Sequence, residues 1–193
     1  MQAVEIELKF TVDDLPALEQ NLRALGFQLD TPRTFESNTL YDTPARTLRA
    51  QKQILRIRQY GSTWTLTHKA QPPNSDDSHY KRRIETETKI EDGEALAAVF
   101  ASLGYLPVFR YEKFRAEWSD PATGHHLVLD ETPIGTFAEL EGDPDWIDIT
   151  LAKLNIAPER CTTDSYGKLF LSWKDRTQSA AEHLTFDAVG SSN

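Results

Sequence analysis

The sequence predicts an α+β fold in which an antiparallel β-sheet is combined with amphipathic helices. Four segments repeat apolar residues at helical spacing, and seven segments alternate apolar and polar residues as strands do. Several of the alternating segments follow one another with no helical segment between them, which favours antiparallel pairing. The chain has 193 residues, of which 39% are hydrophobic, so it is long enough to bury one core.

The four helical segments share an apolar face and have recognisable end signals. Asp13 or Asp14 is suited to cap the start of the first segment, and Gly26 suits the left-handed position beyond its end. Asp143 followed by Pro144 is a second start signal. The segments cover residues 13–26, 92–104, 143–154 and 164–176.

Each of the seven strand segments has one apolar and one charged face, because residues two apart in a strand lie on the same side. In the first segment, Ile6 and Leu8 lie on one face, and the other face carries Glu5, Glu7 and Lys9. A half-exposed sheet explains any single segment, but it does not explain why acids cluster on some strands and bases on others. The segments read EIELKF, ILRIRQY, TWTLTHK, RRIETETKI, VFRYEKFRAEW, HHLVLDE and TFAELEG.

A sheet closed on itself accounts better for the charged faces, since helices would cover the apolar outside and the charges would line a central cavity. Burying so many charges without a ligand is costly. The cost is offset if a polyanion binds to the basic side chains and divalent cations bind to the acidic side chains. Arg binds phosphate oxygens in pairs, and Mg²⁺ or Mn²⁺ prefers carboxylate oxygens. The candidate acids are Glu5, Glu7, Glu85, Glu87, Asp130, Glu139 and Glu141, and the candidate bases are Lys9, Arg56, Arg58, Lys69, Arg83, Lys113 and Arg115.

Composition narrows the expected partners and compartment. Asp and Glu number 30 against 21 Lys and Arg, a formal net charge of −9, so bulk attraction to nucleic acid or an anionic membrane is not expected. Cys161 is the single cysteine, which excludes an internal disulfide. The charged start is unlike a signal peptide, and no apolar run reaches the roughly 20 residues of a membrane helix. We therefore expect a soluble, cytoplasmic protein.

Several motifs occur in an order that resembles the CYTH superfamily, also called the triphosphate tunnel metalloenzymes. The N-terminal Glu-x-Glu-x-Lys signature of that superfamily reads Glu5-Ile-Glu7-Leu-Lys9 in this chain. The resemblance covers roughly residues 3–174. The motifs that follow in order are YDTP at 41–44, LRIR with Arg56 and Arg58, THK with Lys69, RRIETE, EKFR with Lys113 and Arg115, VLDETPIG with Asp130, FAELEG with Glu139 and Glu141, and SYGKL.

The resemblance implies an eight-stranded antiparallel β-barrel that forms a tunnel, with helices packed outside. The implied ligands of a Mg²⁺ or Mn²⁺ cofactor are Glu5, Glu7, Asp130, Glu139 and Glu141. The implied phosphate-binding residues are Lys9, Arg56, Arg58, Lys69, Arg83, Lys113 and Arg115. The implied catalytic residues are Glu5, Glu7, Lys9 and Glu85. The register of Arg83, Glu85 and Glu87 stays open, because more than one alignment fits that strand.

The superfamily includes class IV adenylate cyclases and thiamine, inorganic and RNA triphosphatases. The implied function is therefore a metal-dependent phosphohydrolase of inorganic triphosphate or of a nucleoside or thiamine triphosphate. A class IV adenylate cyclase, which converts ATP to cyclic AMP and pyrophosphate, is one alternative. A noncatalytic polyphosphate- or nucleotide-binding module is another. The expected partner is tripolyphosphate, ATP or thiamine triphosphate, and we expect a monomer or homodimer without nucleic acid or membrane partners.

Two segments are expected to be less ordered than the rest. The CYTH domain is expected to span residues 1–176, and residues 177–193 are expected to form a weakly ordered tail in which Leu184 and Phe186 are able to dock. The polar, proline-containing segment 70–79 is predicted to be a mobile loop.

Overall fold

Eight long strands form a closed antiparallel barrel in the computed structural model, which describes residues 2–73 and 79–190. The strands are β1 Gln2–Thr11, β2 Gln28–Asp42, β3 Ile54–Tyr60, β4 Thr63–Ala70, β5 Lys81–Ile90, β6 Leu106–Ser119, β7 His126–Thr132, β8 Gly135–Glu141 and the short β9 Cys161–Thr162. The order around the barrel is β1, β5, β4, β3, β2, β6, β7 and β8, which pairs again with β1. The predicted fold class is confirmed.

The pairing register places the charged faces of the strands inside the barrel. Between β1 and β8, Glu7 lies opposite Glu141 and Lys9 lies opposite Glu139. These side chains point inward because their apolar neighbours, such as Leu8, are buried on the outer side under the helices. The alternation in the sequence therefore predicts correctly which face of these strands lines the interior.

The four predicted helices are present, and two short helices accompany them. Asp14 caps the first helix by accepting a hydrogen bond from the backbone N–H of Ala17, and Asp92 caps the third through Glu94 and Ala95. No helix in the described ranges is long and apolar enough to cross a membrane. The helices are α1 Leu15–Ala24, α2 Thr47–Ala50, α3 Gly93–Ser102, α4 Pro144–Lys153, α5 Tyr166–Thr177 and α6 Phe186–Gly190.

The main core lies between the outer face of the barrel and the helices α1 and α4. Leu22 of α1 and Ile147 of α4 are fully buried against Leu8, Trp118 and Leu140 of the strands. Burial of apolar area on this scale is the dominant stabilising contribution, at roughly 1.5–3 kcal/mol for each large side chain. The charged inner face therefore depends on a well-packed outer face.

Helix α5 differs from the others because its N-terminus reaches the cavity. Ser165, which caps the helix by accepting a hydrogen bond from the backbone N–H of Lys168, contributes to the cavity lining together with Tyr166 and Gly167. Farther along the helix, Phe170 is buried in a second apolar cluster. The helix thus anchors one end outside the barrel and presents the other end to the interior.

Of the eight barrel strands, β2 is the one that the seven alternating segments of the sequence do not include. It has 15 residues, contains Pro32, and shifts register against β6 between Leu29 and Thr34 and again between Leu40 and Tyr41. Such irregularities interrupt the two-residue alternation on which the sequence analysis depended.

The YDTP motif at the end of β2 has a structural role. The Asp42 carboxylate is buried and accepts hydrogen bonds from the backbone N–H groups of Thr43, Leu48 and Arg49, at 2.7, 2.9 and 3.0 Å. These bonds outweigh the effect of burial and lower the pKa of Asp42. The motif therefore holds the turn into α2.

The segment after α5 docks on the barrel through Leu184. This side chain is fully buried, and its backbone pairs with Arg110 and Glu112 on the part of β6 that β7 does not cover. The docking that the sequence allowed for Leu184 is confirmed, while the boundary at residue 176 and the weak order of the tail stay predictions. Of the predicted loop 70–79, residues 74–78 lie outside the described residues.

Candidate functional site

The barrel encloses a cavity of about 520 Å³ whose wall is densely charged. Seven carboxylates and seven Lys or Arg side chains line it, so the wall has no formal excess of positive charge. A highly charged anion would need accompanying cations to enter such a cavity favourably. The carboxylates are Glu5, Glu7, Glu85, Glu87, Glu117, Glu139 and Glu141, and the cationic residues are Lys9, Arg56, Arg58, Lys69, Lys81, Lys113 and Arg115.

The structure brings together all but two of the residues that the sequence placed in the site. Arg83 lies opposite Glu5 in the β1–β5 pair, but it is not part of the cavity lining, and its guanidinium donates to the carbonyl of Arg82 at 2.9 Å. Asp130 is fully buried behind the lining. Glu85 and Glu87 line the cavity, whereas Arg83, which lies on the same face of β5, does not.

Asp130 is saturated by donors from the protein. Its carboxylate accepts hydrogen bonds from Lys113 at 2.9 Å, from Arg115 at 2.7 and 2.6 Å, and from the Tyr166 hydroxyl at 2.6 Å. A carboxylate with this set of partners has little capacity left for a cation. Its geometry is that of a residue that fixes the direction of Lys113 and Arg115.

One wall of the cavity is formed by three cationic side chains of β3 and β4. Arg56 donates to the Tyr111 hydroxyl and to Thr67, both at 3.1 Å, and its buried Nε has no hydrogen-bond partner among the described residues. Arg58 bonds to Glu87 on β5 at 3.2 Å. Lys69 lies 2.7 Å from Glu5 and 2.9 Å from Glu85. This wall presents several N–H groups to the interior, which suits phosphate oxygens.

Tyr166 brings the N-terminus of α5 into contact with the charged wall. Its ring stacks on Tyr111 with centroids 6.0 Å apart, and the Lys9 ammonium lies 4.2 Å from the ring centroid. Burial, together with Asp130 and Glu139, raises the pKa of the Tyr166 hydroxyl well above its usual value, so the hydroxyl remains a donor at neutral pH. The SYGKL motif contains this residue, but nothing in that motif indicates that the ring points into the barrel.

The carboxylates at the β1–β8 seam form the acidic side of the cavity. Glu139 pairs with Lys9 and with Arg115, the latter at 3.0 Å, and Glu7 pairs with Lys81 at 2.5 Å. Burial raises the pKa of Glu139, but Lys9, Arg115 and other cations outweigh this effect and hold it well below its usual value. Glu139 is therefore ionised at neutral pH.

Glu141 is the carboxylate of this seam whose charge is least compensated. It makes no ion pair with any residue in the described ranges. Burial inside the barrel and the neighbouring Glu5, Glu139 and Glu7 raise its pKa to about 8, against the opposing effect of Arg115. Carboxyl groups therefore outnumber cationic groups around Glu141.

The donor chemistry of the seam fits a hard divalent cation. Glu5, Glu7, Glu139 and Glu141 supply only carboxylate oxygens, the ligands that Mg²⁺ and Mn²⁺ prefer. As the side chains stand, no three His, Cys, Asp or Glu residues of the described ranges are grouped closely enough to hold a metal. Lys9, Lys69 and Lys81 pair with carboxylates of this group, so a cation would have to replace some of these contacts.

Sequence reasoning missed several residues of the interior. Glu36 and Asn38 are completely buried on β2, and Tyr111, Lys81 and Glu117 join the cavity lining. The two β2 residues were missed because that strand was not recognised. In the stretch FESNTLYD four consecutive polar residues follow Phe35, so no alternation marked this part of the strand.

The comparisons with known proteins identify the family. The CYTH domain model matches residues 3–152. The protein named "Putative adenylate cyclase MJ0240" from Methanocaldococcus jannaschii is 30% identical over 138 residues, which are 72% of this chain and 76% of that protein. The closed barrel and its charged cavity define the class as a charged β-barrel protein. The match to the domain model identifies the family within that class. The chain belongs to the CYTH family.

Solved structures share the fold. The PH1819 protein from Pyrococcus horikoshii has a TM-score of 0.68 and 26% identity, covering 88% of this chain and 99% of that one. HpAC1 from Hippeastrum, named a putative adenylyl cyclase and said to reveal a dominant triphosphatase activity, has a TM-score of 0.61 at 23% identity, covering 90% of this chain and 96% of that one. Membership of the family implies dependence on a divalent metal.

Proposed function

We propose that this chain is a divalent-metal-dependent phosphohydrolase of inorganic triphosphate or of a nucleoside or thiamine triphosphate. The observation that carries the proposal is the barrel cavity lined by seven cationic side chains and seven carboxylates, many of them interleaved as ion pairs. A triphosphate carries several negative charges in a row, and only a cavity with both kinds of group can bind it together with its cations.

The carboxylate seam is the proposed metal site. Glu5, Glu7, Glu139 and Glu141 would hold Mg²⁺ or Mn²⁺. The bound metal would neutralise phosphate charge and lower the pKa of a coordinated water. Asp130, which the resemblance included among the ligands, is proposed instead to position Lys113 and Arg115, because its oxygens already accept hydrogen bonds from three side chains.

Six cationic side chains of the cavity form the proposed phosphate site. Its members bind the non-bridging oxygens and stabilise the charge that shifts to the leaving phosphate as the terminal P–O bond breaks. Arg83 is left out of this set because its guanidinium donates to the backbone carbonyl of Arg82 and the residue is not part of the cavity lining. The proposed members are Lys9, Arg56, Arg58, Lys69, Lys113 and Arg115.

Hydrolysis also needs an acceptor for the proton of the attacking water. Glu85 lies in the cavity wall, 2.9 Å from Lys69, and is therefore close to the bound phosphates. We assign it this role, with Glu5, Glu7 and Lys9 completing the catalytic set. The water oxygen forms the new bond to phosphorus, its proton passes to the carboxylate, and the bridging oxygen leaves with the shortened phosphate chain.

A class IV adenylate cyclase is the second candidate, and the name of the Methanocaldococcus jannaschii relative favours it. Cyclisation would use the same phosphate site, but the ribose 3′-hydroxyl would attack the α-phosphorus and pyrophosphate would leave. A noncatalytic binding module is the third candidate, and the carboxylate seam argues against it because phosphate binding alone does not require these acids.

One assay of products separates the three candidates. Purified protein is incubated with Mg²⁺ or Mn²⁺ and tripolyphosphate, ATP or thiamine triphosphate, and orthophosphate, pyrophosphate and cyclic AMP are measured separately. A hydrolase releases orthophosphate from tripolyphosphate. Stoichiometric cyclic AMP and pyrophosphate from ATP, with tripolyphosphate intact, would replace hydrolysis by cyclisation. Binding without any product would indicate the module.

A further inference from the structure

Glu36 is a fully buried carboxylate inside the barrel that neither the resemblance nor the strand patterns assigned to the site. It lies on β2 directly opposite Lys113 of β6. One of its oxygens, Oε1, is 3.4 Å from the Lys113 ammonium and accepts a hydrogen bond from the Asn38 amide at 2.8 Å. The other, Oε2, lies 4.0 Å from Arg115 Nε and has no hydrogen-bond partner among the described residues.

The carboxylate of Glu36 is ionised at neutral pH. Burial by itself raises the pKa of this group, but Lys113, Arg115, Arg58 and Arg56 outweigh burial and hold the pKa at about 2. Four residues of the proposed phosphate site therefore interact with one permanent negative charge. Because the side chain is enclosed and held by Asn38, this charge cannot move away when a ligand enters.

The position of Glu36 neutralises a specific pair of cations. Lys113 lies between two carboxylates, Glu36 and Asp130, and Arg115 interacts with the same two. Glu36 and Asp130 thus offset the charges of Lys113 and Arg115 before any phosphate arrives, and Glu139 adds a further ion pair to Arg115. A balanced pair attracts a free polyanion much less than an unbalanced pair does, whereas a polyanion that brings a divalent cation carries less charge to be compensated.

We propose that Glu36 is a specificity-determining residue that balances Lys113 and Arg115 from within the wall, so that polyphosphate binds tightly only together with its divalent cation. This inference rests on the proposed function, because it concerns the same phosphate site. It assigns to Glu36 a role distinct from that of Asp130: Asp130 directs the two cations, and Glu36 limits their attraction for metal-free anions.

The test is the affinity for a polyphosphate measured with and without metal. Imidotriphosphate, whose P–N–P bridges resist hydrolysis, is titrated calorimetrically into the wild-type protein and into Glu36→Gln, in EDTA and in Mg²⁺, at constant ionic strength. Glu36→Gln removes the charge and preserves the size, so its affinity in EDTA should rise by about tenfold, with a smaller change in Mg²⁺. Glu131→Gln is the matched control, because Glu131 pairs with Arg33 outside the cavity and should leave both affinities unchanged.

The possible outcomes separate the inference from the proposed function. An affinity in EDTA that is unchanged or weaker in folded Glu36→Gln would overturn the role of Glu36 while leaving the proposed function in place. Wild-type protein that binds imidotriphosphate in neither condition would overturn both. If Glu36→Gln does not fold, Glu36→Asp carries the test, because it keeps the charge but withdraws it from Lys113. That variant should show a smaller rise in EDTA, and no rise would overturn the proposal.

Discussion

At the scale of single residues, the interior of this barrel is a set of paired charges in which Glu141 is exceptional. Glu139 and Glu7 each pair with a lysine, while Glu141 lies among other carboxylates and makes no ion pair within the described ranges. A carboxylate that lies among other carboxylates without a cation is neutral or destabilising. Glu141 is therefore the residue through which metal dependence should be easiest to measure.

Replacing Glu141 with Gln should impair metal use and turnover together. The substitution preserves size and removes a carboxyl group that would ionise when it binds a metal, so we expect the rate at limiting Mg²⁺ or Mn²⁺ to fall by about 10²-fold or more and the half-saturating metal concentration to rise. Steady-state rates against metal concentration measure both, with Glu131→Gln as the control. Near-normal activity of Glu141→Gln at limiting metal would remove Glu141 from the metal site.

The pKa of Glu141 also predicts how stability depends on pH when no metal is present. The folded protein holds a proton on Glu141 up to a pKa of about 8, whereas the unfolded chain releases it near 4.5. The free energy of unfolding should therefore fall as the pH rises from about 5 to 8 in EDTA. Urea unfolding at several pH values should show this fall in the wild-type protein and a smaller one in Glu141→Gln. Equal slopes would contradict the assignment.

At the scale of secondary-structure elements, the regular alternation of apolar and polar residues made seven barrel strands predictable. Strand β2 lacks this alternation and was not predicted. Bulges and Pro32 disrupt the pattern of that strand, so Glu36 and Asn38 were missed with it. Helix α5 was located correctly from its apolar spacing, but the insertion of Tyr166 into the cavity was not foreseen. Helical periodicity predicts which face of a helix packs on the core. It does not predict which residues the first turn contacts.

The C-terminal segment should contribute to stability through Leu184. Its side chain is fully buried between β6 and the α5–α6 region, so Leu184→Ala should cost about 2–5 kcal/mol of unfolding free energy. Leu171→Ala, on the exposed side of α5, should cost less than about 1 kcal/mol. Urea denaturation of both variants provides the comparison, and equal stabilities would show that the docked segment adds little.

At the scale of the whole molecule, the closed barrel brings together charges that lie far apart in the sequence. Arg56 on β3 and Lys113 on β6 face the same cavity as Glu139 on β8. Burial inside the barrel strengthens the interactions among these charges and makes an unpaired charge costly. The cavity accordingly sets seven carboxylates against seven cationic side chains.

Replacing Arg56 with Ala should impair every triphosphate substrate to a similar extent. Arg56 is proposed to address phosphate and not the group attached to it, so kcat/KM should fall by roughly 10- to 100-fold for tripolyphosphate, ATP and thiamine triphosphate alike. Lys168→Ala is the control, because Lys168 is exposed and pairs with Asp164 outside the cavity. Loss confined to one substrate would place Arg56 at the variable end of the substrate instead.

The sequence by itself determined the periodicity of the elements, the inward face of seven strands and most of the charged residues of the cavity. These features are local, because side-chain direction in a strand follows from the two-residue repeat. Only the tertiary structure decided the positions of Asp130, Glu36, Tyr166 and Arg83. Their roles depend on which partners meet across the closed barrel, and hydrogen bonding and burial there are set by long-range packing that no local pattern records.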